Sequence, residues 1–246
     1  MPLGAVTFDF WQTLVAETPE ATRRNHARRV NALAAVLARA GCARPRAAVV
    51  AAYDRCGMEL ERCWRTNREM QPRAQVRLIL DGVEPGLSDR LEAAELEAAV
   101  EGYVMPLLTF PPALMPHAAE AVQSLAERGL KLGIVSNTGR TPGAVLRRVL
   151  DGYGLLRYFS AISYSDEVGW RKPASEIFMA TLGALGVPAS RTLHVGDNPD
   201  ADVEGARRVG MLTAHLAVGG APAAERATVV LSGLGELSAR LAGLVG

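Results

Sequence analysis

Four short stretches of the chain carry polar residues whose types belong together chemically. Asp9 follows a short apolar run over residues 3–8. Ser136 and Asn137 follow another over residues 130–135. Lys172 stands before Pro173, and Asp197 and Asp202 come just after Val195 and Gly196. A carboxylate attacks phosphorus, or carbon bearing a halide, and forms a covalent intermediate that water then cleaves. A hydroxyl holds an anion's oxygens, an ammonium neutralises charge, and paired carboxylates offer the oxygen-only ligands that suit Mg²⁺. Each piece alone has an ordinary explanation: an Asp after a strand is commonly a turn or cap residue. Their order along the chain, one at each successive strand end, is what carries information.

The elements that must position these residues follow from periodicity. Residues 20–105 have a helical pattern almost throughout. Val30, Leu33, Ala34 and Leu37 mark one amphipathic stripe. Val49, Tyr53, Cys56, Leu60 and Cys63 repeat at spacings of four and three. Pro72 opens a third helix, and Ser88 is expected to cap a fourth. Beyond Pro116 the pattern becomes alternating strand and helix, with strands near 130–136, 159–163, 191–195, 211–216 and 228–231 and a last helix near 234–243. Such alternation predicts an α/β fold with a doubly wound, mainly parallel sheet, into which an α-helical bundle is inserted after the first strand. The expected division is an α/β core at residues 1–15 and 110–246 and a helical insert at residues 16–109. In such sheets ligands bind at the carboxyl ends of the strands, where the chemical residues fall.

At this point the chain resembles the haloacid dehalogenase-like hydrolase superfamily. The matching pieces are Asp9-x-x-x-Thr13, Ser136-Asn137, Lys172-Pro173 and Gly196-Asp197-x-x-x-x-Asp202. The helical insert sits where that family carries a four-helix cap over a Rossmann-like core. The resemblance implies that Asp9 is the nucleophile. It implies that Thr13, Ser136 and the backbone beside Asn137 hold the substrate's phosphoryl oxygens. Lys172 neutralises charge on nucleophile and substrate. The metal ligands would be Asp9, Asp197, Asp202 and the backbone carbonyl of Trp11. A charge count favours the metal as well: three converging carboxylates against one lysine leave excess negative charge, so either carboxyl pKa values rise or a cation enters. Asp200 is expected to be a solvated residue at a helix start.

One departure matters. Phosphatases of this family usually carry a second Asp two residues after the nucleophile, which protonates the leaving group and then activates water. Here that position is Trp11, which also lies among the residues that meet the substrate, and Gln12 replaces the usual Gly beside it. An indole N–H has no useful acid or base function at neutral pH. General acid–base catalysis contributes about 10²–10⁴-fold, so this chemistry must come from elsewhere or be unnecessary. Three readings stay open. One is a Mg²⁺-dependent phosphatase of small phosphorylated compounds, suited to acyl or aryl leaving groups and working through an aspartyl-phosphate. Another is a metal-independent 2-haloacid dehalogenase-type hydrolase, for which Gly196-Asp197 is the wrong pair. The last is a catalytically weak protein that binds phosphorylated ligands. Phosphonate cleavage needs a cap lysine, and residues 19–111 contain none.

Composition bounds the rest. The 246 residues carry 27 basic and 26 acidic side chains, a net charge of +1, so no global attraction to nucleic acid or an anionic membrane is expected. Three cysteines, Cys42, Cys56 and Cys63, are too few and too badly spaced for a disulfide framework, and no His stands at zinc spacing. No signal peptide or membrane span is visible, so a cytoplasmic protein, monomeric or homodimeric, is expected. The cluster Arg23, Arg24, His26, Arg28 and Arg29 is expected to be a solvated helix face, and Met115 a packing residue. Lys131 and Lys172 are the only lysines among 27 basic residues, and one of the two falls on the family's charged position.

Overall fold

A computed structural model describes residues 2–220 and 222–242. The chain forms two compact units. The first comprises residues 1–17, 113–137 and 150–246, and the second residues 18–112 and 138–149.

The first unit is built on a six-stranded parallel sheet. Its strands are β1 (Ala5–Phe8), β4 (Lys131–Ser136), β5 (Phe159–Tyr164), β6 (Thr192–Gly196), β7 (Leu212–Leu216) and β8 (Val229–Leu231), in spatial order β5-β4-β1-β6-β7-β8. The pieces β2 (Val15–Ala16) and β3 (Ala113–Leu114) form a separate antiparallel pair. β1, β4 and β6 are almost wholly buried, as continuous apolar runs in a parallel sheet require. Two sets of helices cover the sheet. Helix Ser175–Leu185 contributes Ile177, Phe178 and Leu182 to a cluster with Val135, Ala206 and Met211. Helix Ala118–Glu127 packs with β4 and with the C-terminal helix Leu237–Ala242. Residue 243, the expected end of that last helix, lies outside the described residues.

β1 is flanked by β4 and β6, so the strand order reverses on either side of it. That is the topological switch point at which open α/β sheets bind ligands. Asp9 is the first residue past β1, and its backbone N–H still bonds Val195 O on β6 at 2.8 Å.

The second unit is helical. Helices Pro19–Arg39, Arg46–Arg65, Pro72–Val83 and Ala93–Val104 are its main members, with single turns at Leu87–Arg90 and Pro106–Thr109. Thr18 caps the first, its side chain accepting from Ala21 N–H, and Pro19 takes the position where a missing N–H costs nothing. Val49, Tyr53, Cys56 and Leu60 form the buried seam of the second. Ser88 does not cap the fourth main helix. Its N–H and hydroxyl both bond the Asp81 carboxylate, and the cap is a Glu92/Glu95 box. All three cysteines are free thiols.

Two local expectations change here. The basic cluster on the first helix is not simply solvated. Arg29 is buried, donating to Tyr103 O at 3.0 Å and to Thr141 Oγ1 at 2.7 Å, and the Arg24 and Arg28 guanidinium groups lie over the Phe110 ring. Segment 138–149, expected within the α/β part, clusters with the helices. Its contacts explain why: Gln75 Nε2 donates to Gly139 O at 2.8 Å, and Arg140 stacks on Tyr53 while donating to the Tyr103 hydroxyl. Among the described residues, no helix is long and apolar enough to cross a membrane.

Candidate active site

The carboxyl ends of β1, β4 and β6, with the segment before helix Ser175–Leu185, bring Asp9, Ser136, Asn137, Lys172, Asp197 and Asp202 together. At the centre is the Lys172 ammonium. It is buried and donates to Asp9 Oδ1 and to Asp202 Oδ1, both at 2.6 Å. The Lys172 backbone is held by Asn137, whose Oδ1 accepts from Lys172 N–H at 2.7 Å and whose Nδ2 donates to Lys172 O at 3.1 Å. The Asn137 side chain therefore positions the lysine.

Asp9, Asp197 and Asp202 each offer a carboxylate oxygen, and these atoms lie within 4.8 Å of one another. Their titration reflects the crowding. Burial pushes the Asp9 carboxyl above its ordinary value, against the pull of Lys172, and the Asp202 charge adds to the rise. Asp197 is raised to about 6, first by burial and then by the charges of Asp9 and Asp202. Asp202 goes the other way. Burial works to raise it, but Lys172 and His194 outweigh burial and hold it far below the usual carboxylate range. Burial would lower the lysine, but the two aspartates overcome it and keep the ammonium charged. One cation thus faces three carboxylates, and an oxygen-lined site with that imbalance fits a divalent cation.

Gly196 is required by the same crowding. A Cβ on it would lie 2.2 Å from Asp202 Cγ and 2.3 Å from Oδ2. The carboxylate occupies the space that any side chain would need. Asp202 is pinned there by Asn198 N–H, which donates to Oδ2 at 3.0 Å. Asn198 also accepts from Asp200 and Ala201 N–H, which starts the helical turn, and Asp200 is exposed, as expected.

Thr13 is fully buried, and its hydroxyl has no hydrogen-bond partner. An orphaned buried hydroxyl is costly unless a ligand satisfies it, which fits an anion-binding role. Ser136 is fully buried, and its hydroxyl donates to Asn137 O at 3.4 Å. Trp11 is half-buried, its ring edge-to-face with Phe10 at 5.0 Å.

Two histidines belong to the site that sequence reasoning missed. His194 is buried on β6, with Nε2 3.2 Å from Asp202 Oδ1 and Nδ1 2.9 Å from Thr7 Oγ1. Burial lowers its pKa, so the ring is neutral. A neutral imidazole donates from one nitrogen only, and an ionised Asp202 can only accept. Nε2 therefore carries the proton and Nδ1 takes the Thr7 hydroxyl. His215, on β7, is fixed likewise: Nδ1 accepts from Ala224 N–H at 3.0 Å, so Nε2–H donates to Asp197 O at 3.0 Å. The only sequence signal for either was a polar residue inside a buried strand.

The family model for haloacid dehalogenase-like hydrolases matches residues 3–210. The chain belongs to that family. Among curated relatives, it is 36% identical over 100 residues to the ribulose-1,5-bisphosphate 5-phosphatase of Halopiger xanaduensis, covering 41% of each chain. It is 39% identical over 98 residues to the phosphoserine phosphatase of Thermus thermophilus, covering 40% of this chain and 38% of that one. The matches thus span about two fifths of those relatives' length. Among solved structures, a HAD phosphatase from Thermococcus onnurineus has a TM-score of 0.64 at 23% identity, covering 98% of this chain and 99% of that one. A 2-haloacid dehalogenase from Pseudomonas syringae pv. Tomato has a TM-score of 0.73 at 23% identity, with the same coverage. Both likenesses concern the fold.

Proposed function

We propose that this family member is a Mg²⁺-dependent phosphatase of small phosphorylated compounds, acting through an aspartyl-phosphate at Asp9. The observation that carries this reading is the convergence of Asp9, Asp197 and Asp202 around one lysine, a site with uncompensated negative charge. A site for carbon–halogen cleavage has no use for that excess. The ligands for Mg²⁺ would be Asp9, Asp197, Asp202 and the Trp11 carbonyl. When bound, the ion neutralises charge on the carboxylates and on a phosphoryl group.

The chain's own residues account for the rest. An Asp9 carboxylate oxygen attacks phosphorus; the P–O bond to the leaving group breaks as the new O–P bond forms. The electron pair departs with the leaving oxygen. Water then cleaves the aspartyl-phosphate, releasing phosphate and restoring Asp9. Lys172 steadies Asp9 and offsets charge throughout. The Thr13 and Ser136 hydroxyls hold phosphoryl oxygens. No group at position 11 delivers a proton, so leaving groups that depart as stable anions, aryl or acyl, are favoured. On this reading the helical unit is the cap that selects the substrate.

The test is phosphate release from a panel of alkyl, acyl and aryl phosphates, with Mg²⁺ or EDTA, for the native chain and for Asp9→Asn. Release that needs Asp9 and is stopped by EDTA is expected; its absence on every substrate overturns the proposal. Trp11 lends some weight to dehalogenation, because halide leaves without a proton. That reading requires halide release from a 2-haloacid in EDTA, again dependent on Asp9.

A further inference from the structure

Gln12 has a backbone φ of 55°, in the left-handed region. A side chain there costs about 1–2 kcal/mol that glycine would avoid. Its N–H bonds Val15 O at 2.7 Å, and among the described residues its carboxamide has no partner. The side chain is exposed into a cavity of about 300 Å³ lined by Gln12, Met115, Asp197, Leu216 and Val218. Asp197 ties this cavity to the reaction centre, since its carboxylate lies within 4.8 Å of that of Asp9. Met115 is thus a cavity wall. Val218, another wall, leaves 43% of its surface exposed.

The lining dictates the occupant's chemistry. Met115, Leu216 and Val218 are apolar, and Asp197 supplies the only charge. No basic side chain lines the cavity to receive a carboxylate or a second phosphate. The Gln12 carboxamide both donates and accepts, and it is neutral. The volume is at the low end for a small-molecule site.

We infer that Gln12 is a specificity residue that reads the leaving group: a small, uncharged, largely apolar group, aryl in character, bearing a neutral hydrogen-bonding function such as a hydroxyl or amide. This inference rests on the phosphatase reading of the site and gives it a substrate class. The apolar walls agree with the leaving groups that the absence of an acid at Trp11 favours.

The experiment compares phenyl phosphate, 4-carbamoylphenyl phosphate and 4-carboxyphenyl phosphate. Turnover is measured as kcat/KM, and binding is measured by calorimetry on Asp9→Asn protein, with and without Gln12→Gly. The native chain should favour the carbamoyl substrate over the carboxylate by about tenfold or more. Gln12→Gly should reduce the carbamoyl-to-phenyl ratio about fivefold to tenfold, in turnover and in affinity alike. Its denaturation midpoint should stay level or rise, because strain is removed. Equal ratios in the two proteins, with Asp9-dependent release intact, would overturn the role of Gln12 and leave the phosphatase reading standing. No Asp9-dependent release from any of the three, together with none from the wider panel, would sink both.

Discussion

Gly196→Ala is the substitution on which this site is most exposed to test. The added methyl carbon would sit 2.2 Å from Asp202 Cγ, 2.3 Å from Oδ2 and 2.5 Å from Cβ. Those neighbours belong to a buried carboxylate held by three donors: Lys172 at 2.6 Å, His194 at 3.2 Å and Asn198 N–H at 3.0 Å. To restore van der Waals contact the carboxylate must retreat by about 1 Å, and bonds lengthened that far cease to be hydrogen bonds. Hydrogen bonds to charged groups contribute about 1.5–3 kcal/mol each. Sharing the shift among three gives an expected loss of about 3–6 kcal/mol, a large part of a domain's stability of about 5–15 kcal/mol. Urea denaturation measures it, with Mg²⁺ binding followed in parallel and expected to weaken. A double-mutant cycle supplies the control: in an Asp202→Gly background the clash is gone, so Gly196→Ala should then cost under about 1 kcal/mol. If Gly196→Ala alone costs under about 1 kcal/mol, or costs the same in both backgrounds, the close approach of Asp202 is not what Gly196 provides.

Three further outcomes are expected. In metal-free protein the Asp197 carboxyl is raised to about 6, so the native state binds more protons than the unfolded chain between its ordinary value and 6. Stability therefore falls as pH rises through that window, and a cation relieves the cost. The rise in melting midpoint caused by Mg²⁺ should be larger at pH 7.5 than at pH 5, and an equal rise would contradict the shift. His194→Ala removes a donor from buried Asp202 and should cost about 1–3 kcal/mol. Nitrogen NMR of the native chain should show a neutral ring protonated at Nε2 through pH 6.5, because burial lowers its pKa. Trp11→Asp should raise turnover of alkyl phosphates more than of aryl phosphates, within the about 10²–10⁴-fold range of acid–base catalysis. Equal gains would place the limiting step elsewhere.

Much of this site is legible because its residues lie at strand ends, and strand ends are marked by abrupt changes from apolar to polar. Asp9 after β1, Ser136 at the end of β4 and Asp197 after β6 are found that way. Lys172 stands out in a chain whose other basic residues are almost all arginines. Helix starts were less reliable. Ser88 has a good capping side chain, but Asp81 claims both its donors, a contact between residues seven apart that local propensity does not register. The grouping of segment 138–149 with the helices is likewise invisible to local pattern, because it depends on Gln75, Tyr53 and Tyr103, all distant in sequence.

The family, the alternation that makes a parallel sheet, and the identities of the acid, hydroxyl and ammonium groups can be read along the chain alone. These depend on local pattern and on covalent chemistry, and neither needs long-range contacts. Tertiary structure decided how the groups act on one another. Thr7 and His194 are cross-strand partners only because β1 pairs with β6 in that register, and the register fixes the tautomer that His194 offers to Asp202. The Asn137 side chain grips the Lys172 backbone across 35 residues of chain. Gln12 faces a cavity whose other walls come from β7, the loop after it, the loop after β6 and the residue just past β3. Charge sharing, proton location and cavity shape fall off within a few ångströms, so they are set by which residues the fold makes neighbours.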